Sequence, residues 1–280
     1  MGVFAVELSR WRQQVSLSRC AVIRMNPPLS MPACLVEDQG RRRLVEALSV
    51  LRQGGMEAEK PFFALSGTAS FIKRRFVLTK NEEATRQQLL WEAEQLLEQD
   101  AQEYVIDTLV TRQHGFFIAA RRQILELYGV LCQQAQVGPP KFDMASFALC
   151  NALECSSRGG GVEVILQTTQ DRARAVLLRD GAYVGEDDWV LDTMTAVDGL
   201  VRLCEAELVQ DERVDRLWLA GSGEDTVDQY EGLAEQVAEL DPFVGLPVTD
   251  SARETLESTQ VRPRAYAVAA GLAFRGLADA

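Results

Sequence analysis

The chain reads as an α/β protein in two parts, with a small β-α-β-β-α unit set into the first. Three observations carry that reading. Both parts open with paired short apolar runs around a polar turn, Val3–Leu8 with Val15–Ile23 and Val162–Thr169 with Arg174–Leu178, the pattern of strand hairpins. Between them, Arg74–Val137 alternates strand and helix patterns in the order β-α-β-β-α. Near the end, Leu217-Trp218-Leu219 is an apolar run too short for a helix, Gly221-Ser222-Gly223 breaks it, and Tyr230, Leu233, Ala234, Val237 and Leu240 follow at helical spacing. Strand, glycine turn and helix together can aim backbone N–H groups at an anion or a nucleotide ring, because glycine allows close approach. A lone Gly-Ser-Gly fits an ordinary strand-to-helix turn equally well. The rest of the chain must supply the other halves of a site.

The length, 280 residues, suits two modest domains or one large one. Hydrophobic residues make up 47% and charged residues 25%, the composition of a globular chain. The net charge of −12 argues against nucleic-acid binding. Arg41-Arg42-Arg43 and Lys73-Arg74-Arg75 are local basic clusters that read as solvated rims. Met1-Gly2-Val3 lacks the basic start of a signal peptide, and no apolar run is long enough to span a bilayer. Cys20, Cys34, Cys132, Cys150, Cys155 and Cys204 form no CxxC pair and no metal spacing, so they read as reduced thiols. The single histidine, His114, sits beside Gly115 in a turn pattern, which leaves little room for a histidine-based triad or metal site.

After the first hairpin, whose turn spans Ser9–Gln13, Asn26-Pro27-Pro28 and Met31-Pro32 break the pattern. Leu35–Glu37 reads as a short strand and Asp38-Gln39-Gly40 as a turn. Leu44, Val45, Leu48 and Leu51 mark an amphipathic helix ended by Gly54-Gly55. Pro61–Leu65 is a buried strand, and Phe71–Leu78 another extended run. Thr79 and Glu82 fit a capping box, and the helix behind it buries Leu89, Leu90, Ala93, Leu96 and Leu97. Tyr104–Thr111 and Gly115–Ala120 are two strands. Arg121–Gln134 is a helix with Ile124, Leu125, Tyr128, Leu131 and Cys132 inward, stopped by Gly138-Pro139-Pro140.

Lys141-Phe142-Asp143 leads into a helix over Met144–Leu153, and Gly159-Gly160-Gly161 reads as the hinge between the halves. After the second hairpin, Trp189–Leu208 reads as mostly helical. A short strand is expected at Leu246-Pro247-Val248, and Tyr266–Leu277 is an alanine-rich helix.

This order resembles the actin-like plan, and in detail the PilM family of type IV pilus assembly, related to FtsA and the cytoplasmic domain of GspL. Phe63–Gly67 with Ile72–Leu78 is similar to the family's strand, turn and strand. Trp91-Glu92-Ala93-Glu94-Gln95, Phe116–Ala120 with Arg121-Arg122, and Asp143–Leu149 resemble its Glu-Ala-Glu-Gln helix, its Val-Ala-Ala-Arg step and its Phe-Ala-Leu segment. Leu219–Gly223 stands where the family has Leu-Ser-Gly-Gly, and Tyr266–Ala273 resembles its closing motif. The resemblance implies an actin-like (ribonuclease H-like) fold. Residues 1–73 and 138–158 would form domain 1, residues 74–137 an inserted SHS2-like subdomain, and residues 159–280 a reduced domain 2.

The departures bear on function. The family's first phosphate loop is Asp-Ile-Gly-Ser-Ser-x-x-Lys; here Glu7-Leu8-Ser9-Arg10-Trp11-Arg12 has no glycine. The second loop, Asp-x-Gly, is Gln167-Thr168-Thr169-Gln170. Metal-holding carboxylates and phosphate-cradling backbone are both missing. Asp171, Glu186, Asp187 and Asp188 are spare carboxylates, and such an acidic run reads as a solvated loop or a helix start.

The leading expectation is therefore a cytoplasmic scaffold at the inner face of the inner membrane, a monomer or weak homo-oligomer with degenerate or lost ATP binding. No catalytic or metal-binding residue is assigned. Any remaining nucleotide contact would fall on Gly221, Ser222, Gly223, Glu7 and Ser9. By resemblance, the partners are the short tail of a PilN-like membrane protein and other pilus or secretion platform components. The surface would be the inserted subdomain, with Phe76, Leu78, Trp91 and Tyr104 as apolar contacts and an exposed strand edge for main-chain pairing. The alternative is a nucleotide-binding actin-like switch that uses ATP and magnesium. A sugar-kinase-like enzyme ranks last, because no catalytic base or sugar pocket is marked.

Overall fold

The computed structural model describes residues 2–26, 37–56, 59–76, 81–111, 114–156, 160–209 and 211–278. Strands Gly2–Trp11 (β1) and Gln14–Arg24 (β2) form an antiparallel hairpin. Ser9, Arg10 and Trp11 pair with Ser16, Val15 and Gln14, so the expected five-residue loop shrinks to a turn at Arg12-Gln13, with Arg12 left-handed at φ 56°. Helix Asp38–Gln53 (α1) already includes Asp38-Gln39-Gly40, expected as a turn; Asp38 lies in its first turn and Arg52 in its last, both favourable to the helix dipole. Its C-terminus closes at Gly54 and left-handed Gly55 as expected. Leu35 and Val36 lie outside the described residues.

Phe62–Leu65 (β3) pairs in parallel with Lys141–Met144 (β7). The sequence reading took Lys141–Asp143 as a lead-in and started the helix at Met144. The four residues become a strand because β3 offers them a partner, which no local pattern reveals. Helix Ala145–Ser156 (α4) follows.

Between β3 and β7 the chain builds a three-stranded sheet in the order β4-β6-β5, from Ser70–Phe76 (β4), Tyr104–Val110 (β5) and His114–Arg121 (β6). Helix Glu82–Leu97 (α2) packs on it through Leu89 and Ala93 against Phe117. Its cap is Asn81, whose Oδ1 accepts from the Ala84 N–H at 3.2 Å; Thr79, expected in that role, is outside the described residues. Leu90 and Leu96, expected inside, are exposed, because the sheet meets only the narrow stripe of Thr85, Leu89 and Ala93. Helix Arg122–Ala135 (α3) buries Ile124, Tyr128, Leu131 and Cys132.

The largest sheet has the order β10-β9-β8-β11-β12. Val162–Thr168 (β8), Arg172–Arg179 (β9) and Ala182–Val190 (β10) form an antiparallel meander; Arg216–Gly221 (β11) and Gln236–Glu239 (β12) add in parallel beyond β8. Val164, Ile165, Leu166 and Leu219 are fully buried in it.

Two expectations fail here. Trp189 belongs to β10, and the helix (α5) spans only Ala196–Glu207, capped by Thr195. The helix expected after Gly223 is absent: Val227–Tyr230 is one 3-10 turn and Gln236–Glu239 is strand β12. Tyr230, Leu233, Ala234 and Val237 still face one core, with Leu217 and Leu219, so their spacing mimics a helix while reporting a turn and a strand over the same sheet.

Val248 makes a single bridge to Leu17, and the Leu17 N–H donates to the Pro247 carbonyl at 2.9 Å. Helix Asp250–Thr259 (α6), unforeseen in the sequence, is capped by Thr249 and packs beneath β2 through Ala252. A 3-10 turn at Pro263–Tyr266 opens helix Ala267–Ala278 (α7). Gly271 lets α7 lie against α4, since a Cβ there would strike the Ala148 carbonyl.

Candidate functional site

The Gly221-Ser222-Gly223 loop leaves β11 beside the end of β8. Gly221 has φ 88°, and a Cβ there would run into the Thr168 carbonyl oxygen. A Cβ at Gly223 would meet the Thr168 hydroxyl. The Gly223 N–H donates to the Thr168 carbonyl at 3.0 Å, and the Thr168 hydroxyl donates to Asp225. Both glycines thus serve close packing between loop and strand. Arg264, fully buried, anchors the far side: its Nη2 donates to the carbonyls of Gly223 at 2.7 Å and Asp225 at 2.8 Å. The sequence reading missed Arg264; its position right after Pro263 was the only signal, and a weak one.

The structure does not bring the other proposed nucleotide contacts onto a loop. Ser9 is a strand residue whose hydroxyl pairs with that of Ser16 at 2.9 Å, and Trp11 at the hairpin tip is 77% exposed. Glu7 lies on β1 along the cavity described below, and Ser222 lies at that cavity too. The second hairpin is closed by Thr169, whose N–H donates to the Arg172 carbonyl at 2.8 Å while its hydroxyl accepts from the Arg172 N–H. Glu186, Asp187 and Asp188 stand on β10, neither on a loop nor at a helix start. Asp188 takes ion pairs from Arg172 and Arg174, and Asp187 pairs with Arg202. The two arginines and the facing acids each recur at a spacing of two, a strand signal that the sequence reading passed over. Burial pushes the Glu186 carboxyl up from its ordinary range, with Arg174 pulling the other way. Among the described residues, no group of three His, Cys, Asp or Glu side chains could hold a metal.

On the three-stranded sheet, Trp91 lies on the open side of α2 and is 61% exposed. Tyr104 is half-buried, edge-on to Phe71 at 6.0 Å with the Arg121 guanidinium over its ring. Phe76 ends β4, and Leu78 lies outside the described residues. β5 is an edge strand, yet its edge is partly used: the Tyr104 carbonyl accepts from Arg122 at 3.2 Å and the Thr108 carbonyl from Arg86 at 3.1 Å. Side-chain donors on an edge hinder strand addition. The face of this unit toward β10 is tied down. Tyr183 sits between Phe116 and Phe147 at 5.4 and 5.2 Å, and Arg74 donates to the Val184 carbonyl and to Glu207.

A cavity of about 770 Å³ runs from Gly221 and Ser222 along β1 to Gly2 and Leu277. Its lining takes in β1 and β3, α7, and Leu48 and Leu51 of α1, and it includes the polar residues Gln167, Thr169, Arg172, Arg174 and Asp188 of the second hairpin and β10 as well as Glu59 and Lys60.

Neither family models nor curated protein sequences match the chain. Solved structures do. One, titled as a PilM-PilN type IV pilus biogenesis complex, is similar over 99% of this chain and 96% of that chain, with TM-score 0.71 and 19% identity. The cytoplasmic domain of EpsL, an inner-membrane component of the type II secretion system of Vibrio cholerae, is similar over 95% and 98%, with TM-score 0.52 and 10% identity. A Bacteroides thetaiotaomicron protein described as having an actin-like ATPase fold matches over 91% and 95%, with TM-score 0.44 and 12% identity. Over nearly its whole length, this chain has the actin-like fold of the first two proteins.

Proposed function

We propose that the protein is a scaffold of a type IV pilus or type II secretion assembly platform, working at the cytoplasmic face of the inner membrane. It binds the short tail of a PilN-like membrane protein and does so without nucleotide. The observation that carries this reading is the whole-length likeness to the chain of the PilM-PilN complex, at TM-score 0.71. The partner surface is the open side of α2 around Trp91, whose large apolar face lies in solvent.

The nucleotide-free half of the proposal has its own support. Gly223 spends its N–H on Thr168, both hairpin tips are closed turns, and Arg172 and Arg174 share Asp188. A second reading, a nucleotide-gated switch, is favoured by Gly221 and Ser222 lying at one end of the cavity.

Two titrations test the proposal. A fluorescein-labelled tail peptide of a PilN-type protein should bind the purified chain, and Trp91→Ala should weaken that binding without unfolding. Calorimetry with Mg-ATP should show no heat of binding at millimolar nucleotide, with a glycine-bearing PilM-type homologue as positive control. Micromolar ATP binding would put the switch reading first; failure of the tail peptide would remove the scaffold reading.

A further inference from the structure

The tip of the β1–β2 hairpin belongs to none of the sites above. β1 lines the cavity as far as Leu8, and Ser9–Gln14 take no part in that lining. The hairpin is anchored at a bulge: Glu7 pairs with Arg19 and Leu8 with Leu17, so Ser18 is the extra residue. There the Leu17 N–H donates to the Pro247 carbonyl at 2.9 Å, and the Thr249 hydroxyl donates to the Ser18 carbonyl at 2.6 Å. Beyond the bulge, among the described residues, no hydrogen bond ties Ser9–Ser16 to another element, and Ser9 through Gln14 are all exposed. Trp11, at 77%, is the most exposed large apolar side chain among the described residues. Arg10 and Arg12 flank it, and among the described residues neither guanidinium has an ion pair or a hydrogen bond. By contrast, Arg172, Arg174, Arg179, Arg202 and Arg216 each meet a carboxylate. A chain of net charge −12 thus keeps two unneutralised cations on either side of an indole that stands in solvent.

We propose that this tip docks on an anionic lipid bilayer, with the Trp11 ring at the headgroup boundary and Arg10 and Arg12 on lipid phosphates. Indole rings settle at that boundary because the ring is apolar and its N–H is polar. Arginine pairs with phosphate through two N–H groups while its stem lies along apolar chains. The hairpin holds the ring in place: the Ser9 and Ser16 hydroxyls bond across the strands at 2.9 Å and Trp11 pairs with Gln14, so docking costs little backbone freedom. The shape favours a bilayer over an acidic protein. Six consecutive exposed residues supply the contact, far short of the roughly 20 residues a side of a stable protein interface. A protein would also need a pocket to bury the aromatic anchor, whereas a bilayer accepts a convex tip without one. The acidic body is repelled by the same surface, so the tip alone touches it, and the attachment is weak and salt-dependent. The proposal rests on the tip and not on the pilus or secretion reading.

The test sediments the full chain with phosphatidylcholine vesicles, with and without about one-third phosphatidylglycerol. Binding is expected only to the anionic vesicles and should weaken with added salt. Arg10→Gln with Arg12→Asn, asparagine suiting the left-handed φ of 56°, should weaken it roughly 25-fold, about fivefold for each cation removed. Arg10→Gln alone serves if the double variant misfolds. Lipids brominated in the acyl chain should quench tryptophan fluorescence of the wild type, and Trp11→Phe should lose most of that quenching, which locates the ring. The proposal is overturned if neither vesicle binds, if neutral vesicles bind equally, or if the variants bind and are quenched like the wild type. Retention on immobilised polyglutamate with no vesicle binding would also overturn it, by making an acidic protein the partner. The tip variants should bind the tail peptide as the wild type does, so this test and that of the α2 surface fail independently.

Discussion

Arg74 on β4 donates through Nη2 to Glu207 at 2.6 Å, while its Nη1 donates to the Val184 carbonyl. One side chain of the three-stranded unit thus holds the end of α5 and the edge of the five-stranded sheet together. Both partners are about three-quarters buried, so the pair is shielded more than a surface ion pair but not fully desolvated. Arg74→Ala should cost about 1–2 kcal/mol of unfolding free energy in urea. A cycle with Glu207→Gln should show coupling of about 1 kcal/mol. Additive single effects would mean that the two side chains do not act as a pair in solution.

Glu186 supplies a pH dependence. It is half-buried on β10, its shielded Oε2 has no hydrogen-bond partner, and desolvation raises its carboxyl above the ordinary range. Between the unfolded and folded pKa values the native state binds more protons than the unfolded state. Stability therefore falls as pH rises from about 4.3, the ordinary glutamate value, through the raised native one. Glu186→Gln should remove that loss. The gain should be present above the raised native value and vanish below about pH 4. Melts across that range would check it; a gain that is constant with pH would point to packing instead.

Much of the fold was legible, and the failures share a cause. Both hairpins, α1, α2, α3 and α7 declared themselves through their own periodicity and breakers. β7 and β12 did not, because four residues make a strand only when a neighbour offers its edge. The acidic run Glu186–Asp188 was misread because its partners, Arg172, Arg174 and Arg202, lie on other elements. The candidate site was legible only as a glycine loop. Arg264 beneath it holds the loop through residues some forty positions away in the chain, a relation that periodicity cannot encode.

Trp91 separates binding from stability. At 61% exposure on α2 it adds little to the core. Trp91→Ala should shift stability by no more than about 0.5 kcal/mol. If the open side of α2 is the partner surface, the same change should weaken tail-peptide binding by tenfold or more, as large aromatic anchors do. A folded variant with unchanged binding would remove Trp91 from the surface.

The thiols differ in environment. Cys20 and Cys132 are buried, and burial pushes each up to about 11; Cys150 is pushed up further still. Cys155, at the end of α4, is exposed. Since the thiolate is the reactive form, iodoacetamide at pH 8 should label Cys155 well before these three. Peptide mapping by mass spectrometry after short exposure checks the order. Early labelling of Cys150 would mean that α4 and α7 separate readily.

The glycines of the Gly221–Gly223 loop can be assigned to packing or to ligand approach by one pair of variants. Gly221→Ala puts a Cβ against the Thr168 carbonyl at a φ of 88°, so it carries both a clash and backbone strain. It should destabilise by about 2 kcal/mol or more. Ser222→Ala, in the same loop with its side chain at the cavity, disturbs neither contact and should leave the melting temperature unchanged. If the loop held nucleotide, Ser222→Ala would instead abolish ligand-induced stabilisation by Mg-ATP. A Gly221→Ala variant as stable as the wild type would mean that the loop and β8 are not packed together, and the case for a closed, nucleotide-free cleft would lose its main contact.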